Sequence, residues 1–197
     1  MNWTKLTKEA WANEIAEGDF DVVGVLKFID GRRVSDDKAR QLWIAYWRKV
    51  DRVMFGHATN KKLGVNRLCF DELGEYAENR HLHFVAQSPI SPMTFCATLN
   101  AMWDDFCVDA APMRKNFITP IRSKHDVGRY IVKEIGDDKF SYSGLKCSHR
   151  NLAQYETTDA ETAGRLRRIH ARVPEDRMTQ ALAVLEWQIA DEQRRIN

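Results

Sequence analysis

Two short extended segments, VNRLCFDEL (65–73) and HLHFVAQ (81–87), follow one another across Gly74 and a polar turn, and this does most to limit the folds open to the chain. The simplest arrangement is an antiparallel hairpin, because parallel neighbours need a long crossover between them. Ahead of it, DVVGVLKFI (21–29) is rich in β-branched residues and closes on the turn-forming Asp30-Gly31, which reads as a buried strand. NFITPI (116–121) is a further strand, and Pro120 puts it at a sheet edge or a strand end. KFSYSGLKCS (139–148) fits a last short strand and irregular structure equally well.

Helical spacing fills the intervals. Trp3, Leu6, Ala10, Trp11 and Ile15 mark a leading helix over 3–17, stopped by Gly18. Ser35 is a good N-cap with Asp36 and Asp37 in the first turn, and Leu42, Trp43, Tyr46, Trp47 and Val50 carry an amphipathic helix to about Val53. Ser91-Pro92 opens another, with Phe95, Leu99, Met102, Trp103 and Phe106 on one face. HDVGRYIVKEIG (125–136) reads as a short helix closed by Gly136. From Asp159 on, two helical stretches break at Val173-Pro174. Hairpin-linked strands with helices between the others predict an α+β domain, a central antiparallel β-sheet with packed helices. At 197 residues the chain has room for little more than one core, so residues 1–150 are expected to form the main domain and 151–197 a helical C-terminal extension of the same unit.

Composition excludes some partners. Thirty Lys and Arg against 28 Asp and Glu leave a net charge of +2, which argues against a histone-like polycation and an acidic disordered tail. No apolar run approaches the length of a membrane span, and the N-terminal segment has acids and no apolar leader region. Cys69, Cys96, Cys107 and Cys147 show no C-x-x-C pairing, so reduced thiols in a soluble, cytoplasmic protein are expected.

Three features carry chemistry. His81 and His83 are two apart on a strand, so both imidazoles project from one face while Leu82 turns to the other. That geometry suits two ligands of one metal, and Asp71 and Glu72 stand at the end of the neighbouring strand to supply a carboxylate. Tyr130 and Lys133 are three apart on a helix and share a face, where a cation beside a phenol favours phenolate and can contact a phosphate oxygen. Finally, Arg114, Lys115, Arg122, Lys124, Arg129 and Lys133 are opposed between residues 111 and 133 by Asp126 alone. Such a stretch is an electrostatic footprint for a nucleic-acid backbone. A second cluster, Arg165, Arg167, Arg168, His170 and Arg172, lies in the C-terminal helical part among interleaved acids.

Taken in order, a strand ending in carboxylates, His-hydrophobe-His on the next strand and Tyr-x-x-Lys on a later helix resemble the His-hydrophobe-His endonucleases, the superfamily of rolling-circle replication initiators and relaxases. HLHFVAQ is similar to the metal motif and RYIVKE to the nucleophile motif of the replication-initiator branch. The likeness covers about residues 21–148, and YWRKVDRVMFG (46–56) resembles initiator-like proteins of filamentous phages, small plasmids and their integrated relatives. It implies a sheet of ferredoxin-like, RNA-recognition-motif-like type, with the His pair on a middle strand and the Tyr helix laid across it. His81 and His83 then match metal ligands, Glu72 the third ligand with Asp71 as the alternative, Tyr130 the nucleophile and Lys133 its companion. Implied with them are Mg²⁺ or Mn²⁺, a single-stranded DNA origin as substrate, a 5′-phosphotyrosyl link with a released 3′-OH, DNA contacts by Arg114, Lys115, Arg122, Lys124 and Arg129, and a host helicase and polymerase as partners.

The chain departs from that pattern in three places. VVGVLKFI has no Thr or Ser on the early strand, only one Tyr sits in the nucleophile motif, and no phosphate-binding G-x-x-x-x-G-K-[ST] occurs. Termination would then use a water activated by an acid such as Glu134, or a second subunit's Tyr130. Three rivals remain: a relaxase or transposase-like nickase, although relaxases carry a third His in the cluster; a non-catalytic DNA-binding repressor; and an RNA-binding sheet domain, which would expose Phe28, Phe84 and Phe117 for base stacking.

Overall fold

The computed structural model describes residues 3–61, 63–73, 79–132, 140–141 and 158–196. Helix α1 (Trp3–Glu17) leads into strand β1 (Val22–Lys27), helix α2 (Asp36–Phe55), strands β2 (Arg67–Glu72) and β3 (His81–Ala86), and helix α3 (Pro92–Asp104). Strand β4 (Phe117–Pro120), helix α4 (Lys124–Ile131), the two-residue strand β5 (Phe140–Ser141) and helices α5 (Asp159–His170) and α6 (Glu175–Ile196) follow. Side-chain oxygens start the helices: Ser35 accepts from the Lys38 amide and Ser91 from Thr94, as the sequence predicts, and the structure adds Ser123 accepting from Asp126 and Thr158 from Glu161.

Every strand pair is antiparallel, in the order β4-β1-β3-β2-β5. The expected hairpin is β2–β3, and the α+β class holds. β1 and β2 are linked through α2 but separated by β3, while β3 and β4 are linked through α3 and separated by β1, so two split β-α-β units interlock. This places β3 in the middle of the sheet. β4 pairs only with β1, in line with its Pro120. α6 covers that edge, where Gln188 Nε2 donates to the Asn116 carbonyl at 2.6 Å and Arg122 Nη2 to the Ile189 carbonyl at 3.3 Å.

Helices pack on both faces of the sheet, which is why β1 and β2 are buried along nearly their whole length rather than on alternate residues. On one face Leu26, Cys69, Leu82, Phe84 and Ile118 pack with Trp43 and Trp47 of α2 and Phe95, Leu99 and Trp103 of α3. Gly24 sits opposite Phe84, where a Cβ would come within 2.3 Å of the ring, so only glycine admits this aromatic between the sheet and Trp47. Ile169, Val173, Ala181 and Leu185 of the C-terminal helices join the same core. On the other face Val23, Leu68, Phe70 and Val85 pack with Ile15, Phe20, Ile131 and Val132, bringing α1 and α4 onto the sheet. Gly128 permits their approach: a Cβ there would lie 2.7 Å from the Ala12 carbonyl oxygen.

Several expectations are corrected. The helix expected over 125–136 ends at Ile131, with Val132 as its C-cap. Ile131 and Val132 are both buried on the sheet face beneath α4. Gly136, Lys133 and Glu134 lie outside the described residues, as does Cys147. The second arginine cluster is in part structural: Arg168 Nε and Nη2 donate to the Val53 and Met54 carbonyls at the end of α2, at 2.7 and 2.5 Å, and buried Arg165 donates to the Pro89 carbonyl. Burial and the nearby Arg165 and Arg167 charges lower the Arg168 guanidinium below its ordinary pKa. Phe28 and Phe84 are buried, because their faces meet α2 and α3, and cannot stack on a base; Phe117 alone of the three is partly exposed. No described helix is long and apolar enough to cross a membrane, and Cys69, Cys96 and Cys107 are free thiols.

Candidate metal centre and nucleophile

Register builds the cluster. Glu72 and His81 are direct cross-strand partners, as are Phe70 and His83, so Glu72, His81 and His83 project from the face that carries α1 and α4. Glu72 Oε2 lies 2.6 Å from His81 Nε2 and 2.5 Å from His83 Nε2, and the two nitrogens are 2.9 Å apart. Glu72 and His83 are buried and His81 nearly so. His81 Nδ1 is 2.5 Å from the Asn79 carbonyl, which can only accept, so Nδ1 donates there and Nε2 is the ring nitrogen turned to the cluster.

Asp71 is not part of this group. One residue along a strand reverses the side chain, and Asp71, opposite Leu82, is buried on the other face, where Arg80 Nη1 reaches it at 3.2 Å. Arg80 also pairs with Asp36 in the first turn of α2. Arg80 and Asp71 each directly precede a residue of the cluster, so this ion pair ties the end of β2 to the start of β3 from behind the cluster. Its role depends on tertiary pairing and had no signal in the local sequence.

Two imidazole nitrogens and one carboxylate oxygen form a set that could hold a metal ion, all within 4.8 Å of one another. The cis ligands of an octahedral cation with bonds of ~2.1 Å lie ~3 Å apart, so the three donors need to spread by only about half an ångström. A buried carboxylate is costly without a positive partner, and a divalent ion bound here would meet that demand.

Tyr130 comes to the same place. Its ring, about half exposed, stands edge-on to His83 with the centroids 5.6 Å apart. α4 lies along the β2–β3 side of the face and leaves the β1–β4 side open as a cleft of about 600 Å³, lined by His81, His83 and Tyr130 together with Val23, Val25, Phe117, Asp126 and Glu192. Asp126 lies one helical turn before Tyr130, a spacing legible in the sequence but not used; Glu192 arrives through the packing of α6, which no local pattern announces.

The basic stretch does not form one patch. Arg114 and Lys115 are exposed on a turn before β4, while Arg122 and Lys124 lie past its far end. Arg122 lines the cleft, Arg129 is exposed on α4, and Lys124 Nζ donates at 2.7 Å to the Gly18 carbonyl behind α1. Comparison with protein-family models, with curated proteins and with solved structures finds no match to this chain.

Proposed function

We propose that this protein is a metal-dependent, single-strand-specific DNA nickase and ligase of the His-hydrophobe-His type that initiates rolling-circle replication of a small mobile element. One observation carries the reading: Tyr130, on a helix far along the chain, stands against His83 within the Glu72–His81–His83 cluster and opens to a cleft. The ferredoxin-like strand order, with the His pair on the middle strand, supports it.

Glu72, His81 and His83 would hold the cation, and two imidazoles in the set favour Mn²⁺ over the more oxygen-seeking Mg²⁺. A divalent ion there supplies Lewis-acid polarisation of a phosphoryl oxygen. Tyr130 Oη attacks the scissile phosphorus, a P–Oη bond forms and the P–O3′ bond breaks, with the phenolic proton lost to solvent and a proton taken up by the leaving 3′ oxygen. One phosphate diester replaces another, so the 3′-OH can reverse the step and rejoin a strand without an external energy source. Exposed Arg114, Lys115, Arg122 and Arg129 would neutralise the incoming backbone. Unwinding and synthesis would fall to a host helicase and polymerase in the cytoplasm.

Incubation with Mn²⁺ and a random-sequence pool of 3′-labelled single strands tests this. The label is expected to move to the protein, with EDTA or Tyr130→Phe abolishing transfer. Transfer that persists in Tyr130→Phe would remove the nucleophile, and no transfer from any strand would remove the nickase reading.

A further inference from the structure

We propose that the cleft beside the metal cluster is a base-reading pocket that accepts a nucleobase bearing an exocyclic amine and rejects thymine. The proposal rests on the nickase reading for its substrate, and its observations are separate from the metal ligands. The floor is the part of the sheet that α4 leaves open: Val23 and Val25 of β1, with Phe117 and Thr119 of β4. Alternation on β4 sends Ile118 into the opposite core and Phe117 into the cleft. The half-buried Phe117 ring has no aromatic partner among the described residues and gives a planar base a surface to stack on. About 600 Å³ takes a nucleotide with room to spare, and the cleft is continuous with His81, His83 and Tyr130, so its occupant belongs to the strand being cut.

The wall fixes the chemistry. Asp126 and Glu192 line the cleft, and among the described residues neither carboxylate has an ion-pair or side-chain hydrogen-bond partner. Carboxylates that hold no cation repel a phosphate backbone, so in a nucleic-acid cleft they are better suited to a base edge, where they accept from N–H groups. Adenine, cytosine and guanine each offer an exocyclic amine, whereas thymine offers only N3–H, flanked by two carbonyl oxygens that repel a carboxylate. Guanine, with N1–H beside its amine, presents two adjacent donors to one carboxylate and fits best.

Fluorescence anisotropy of the full chain in EDTA, with labelled nonamers of dT carrying one central dA, dC or dG, tests the pocket against dT₉ itself. The three amine-bearing strands are expected to bind on the order of tenfold more tightly than dT₉, with dG foremost. The pair Asp126→Asn and Glu192→Gln keeps shape but adds donors that thymine carbonyls can accept, so the ratio should fall to about one through a gain for dT₉. Phe117→Ala should weaken all four. Equal binding of the four strands by the natural protein, or a preference that survives the double substitution, overturns the pocket. Label transfer to Tyr130 without base preference overturns the pocket alone; base preference without any transfer leaves the pocket standing and overturns the nickase reading.

Discussion

Replacing Arg80 by Met should do more damage than any exposed ion-pair substitution in this chain, and it should reach the metal face without touching it. Arg80 is 3% exposed and joins Asp71, 2% exposed, to Asp36 on α2. Removing the guanidinium leaves the Asp71 carboxylate buried without its ion-pair cation, a change that costs about 3–5 kcal/mol. At ~2–4 °C per kcal/mol for a chain of this size, the thermal midpoint should fall by roughly 6–20 °C. The double substitution Arg80→Met with Asp71→Leu buries no charge and should recover most of the loss. Because Asp71 and Arg80 adjoin Glu72 and His81, the single variant should also bind Mn²⁺ more weakly in a calorimetric titration below its melting range. Circular dichroism melts of both variants decide the matter. A single-variant cost under about 1 kcal/mol, the usual size for an exposed pair, or a double variant no better than the single, would refute the argument.

Other substitutions separate the parts of the account. Gly128→Ala drives a Cβ toward the Ala12 carbonyl, so α4 should shift, stability should fall by about 1–3 kcal/mol and label transfer to Tyr130 should slow, as chemical melts and adduct yields will show. Mn²⁺ should raise the melting temperature of the natural protein, and His83→Ala, which removes one of the three donors, should abolish that rise. Arg168→Ala removes two hydrogen bonds to the end of α2 and should cost about 1–3 kcal/mol. The salt dependence of oligonucleotide binding should be unchanged in Arg168→Ala, since that arginine serves the fold.

What the sequence made legible was local. Ser35 and Ser91 cap helices through bonds spanning three residues, and β2 and β3 pair as sequence neighbours. Period-two alternation put His81 and His83 on one face without any knowledge of the sheet. Whether Asp71 or Glu72 joined them depended on cross-strand register, which pairs Glu72 with His81 and which neither strand states alone. The structural role of Arg168 had no local signal, because its partners, the Val53 and Met54 carbonyls, lie far away in sequence. The end of α4 at Ile131 was missed because the first helix-stopping residue in the sequence is Gly136, five positions later. Glu192 reached the cleft only because α6 folds back over the β4 edge.

The central claim is that Tyr130 becomes covalently joined to DNA beside the Glu72–His81–His83 cluster. Trypsin cleaves after Arg129 and Lys133, so the residue is released in the peptide Tyr-Ile-Val-Lys. After incubation with Mn²⁺ and single-stranded DNA, followed by nuclease trimming, mass spectrometry should find that peptide carrying a 5′-linked nucleotide, and find none after EDTA treatment. An unmodified Tyr130 peptide alongside a nucleotide on another residue, or on none, would contradict the account.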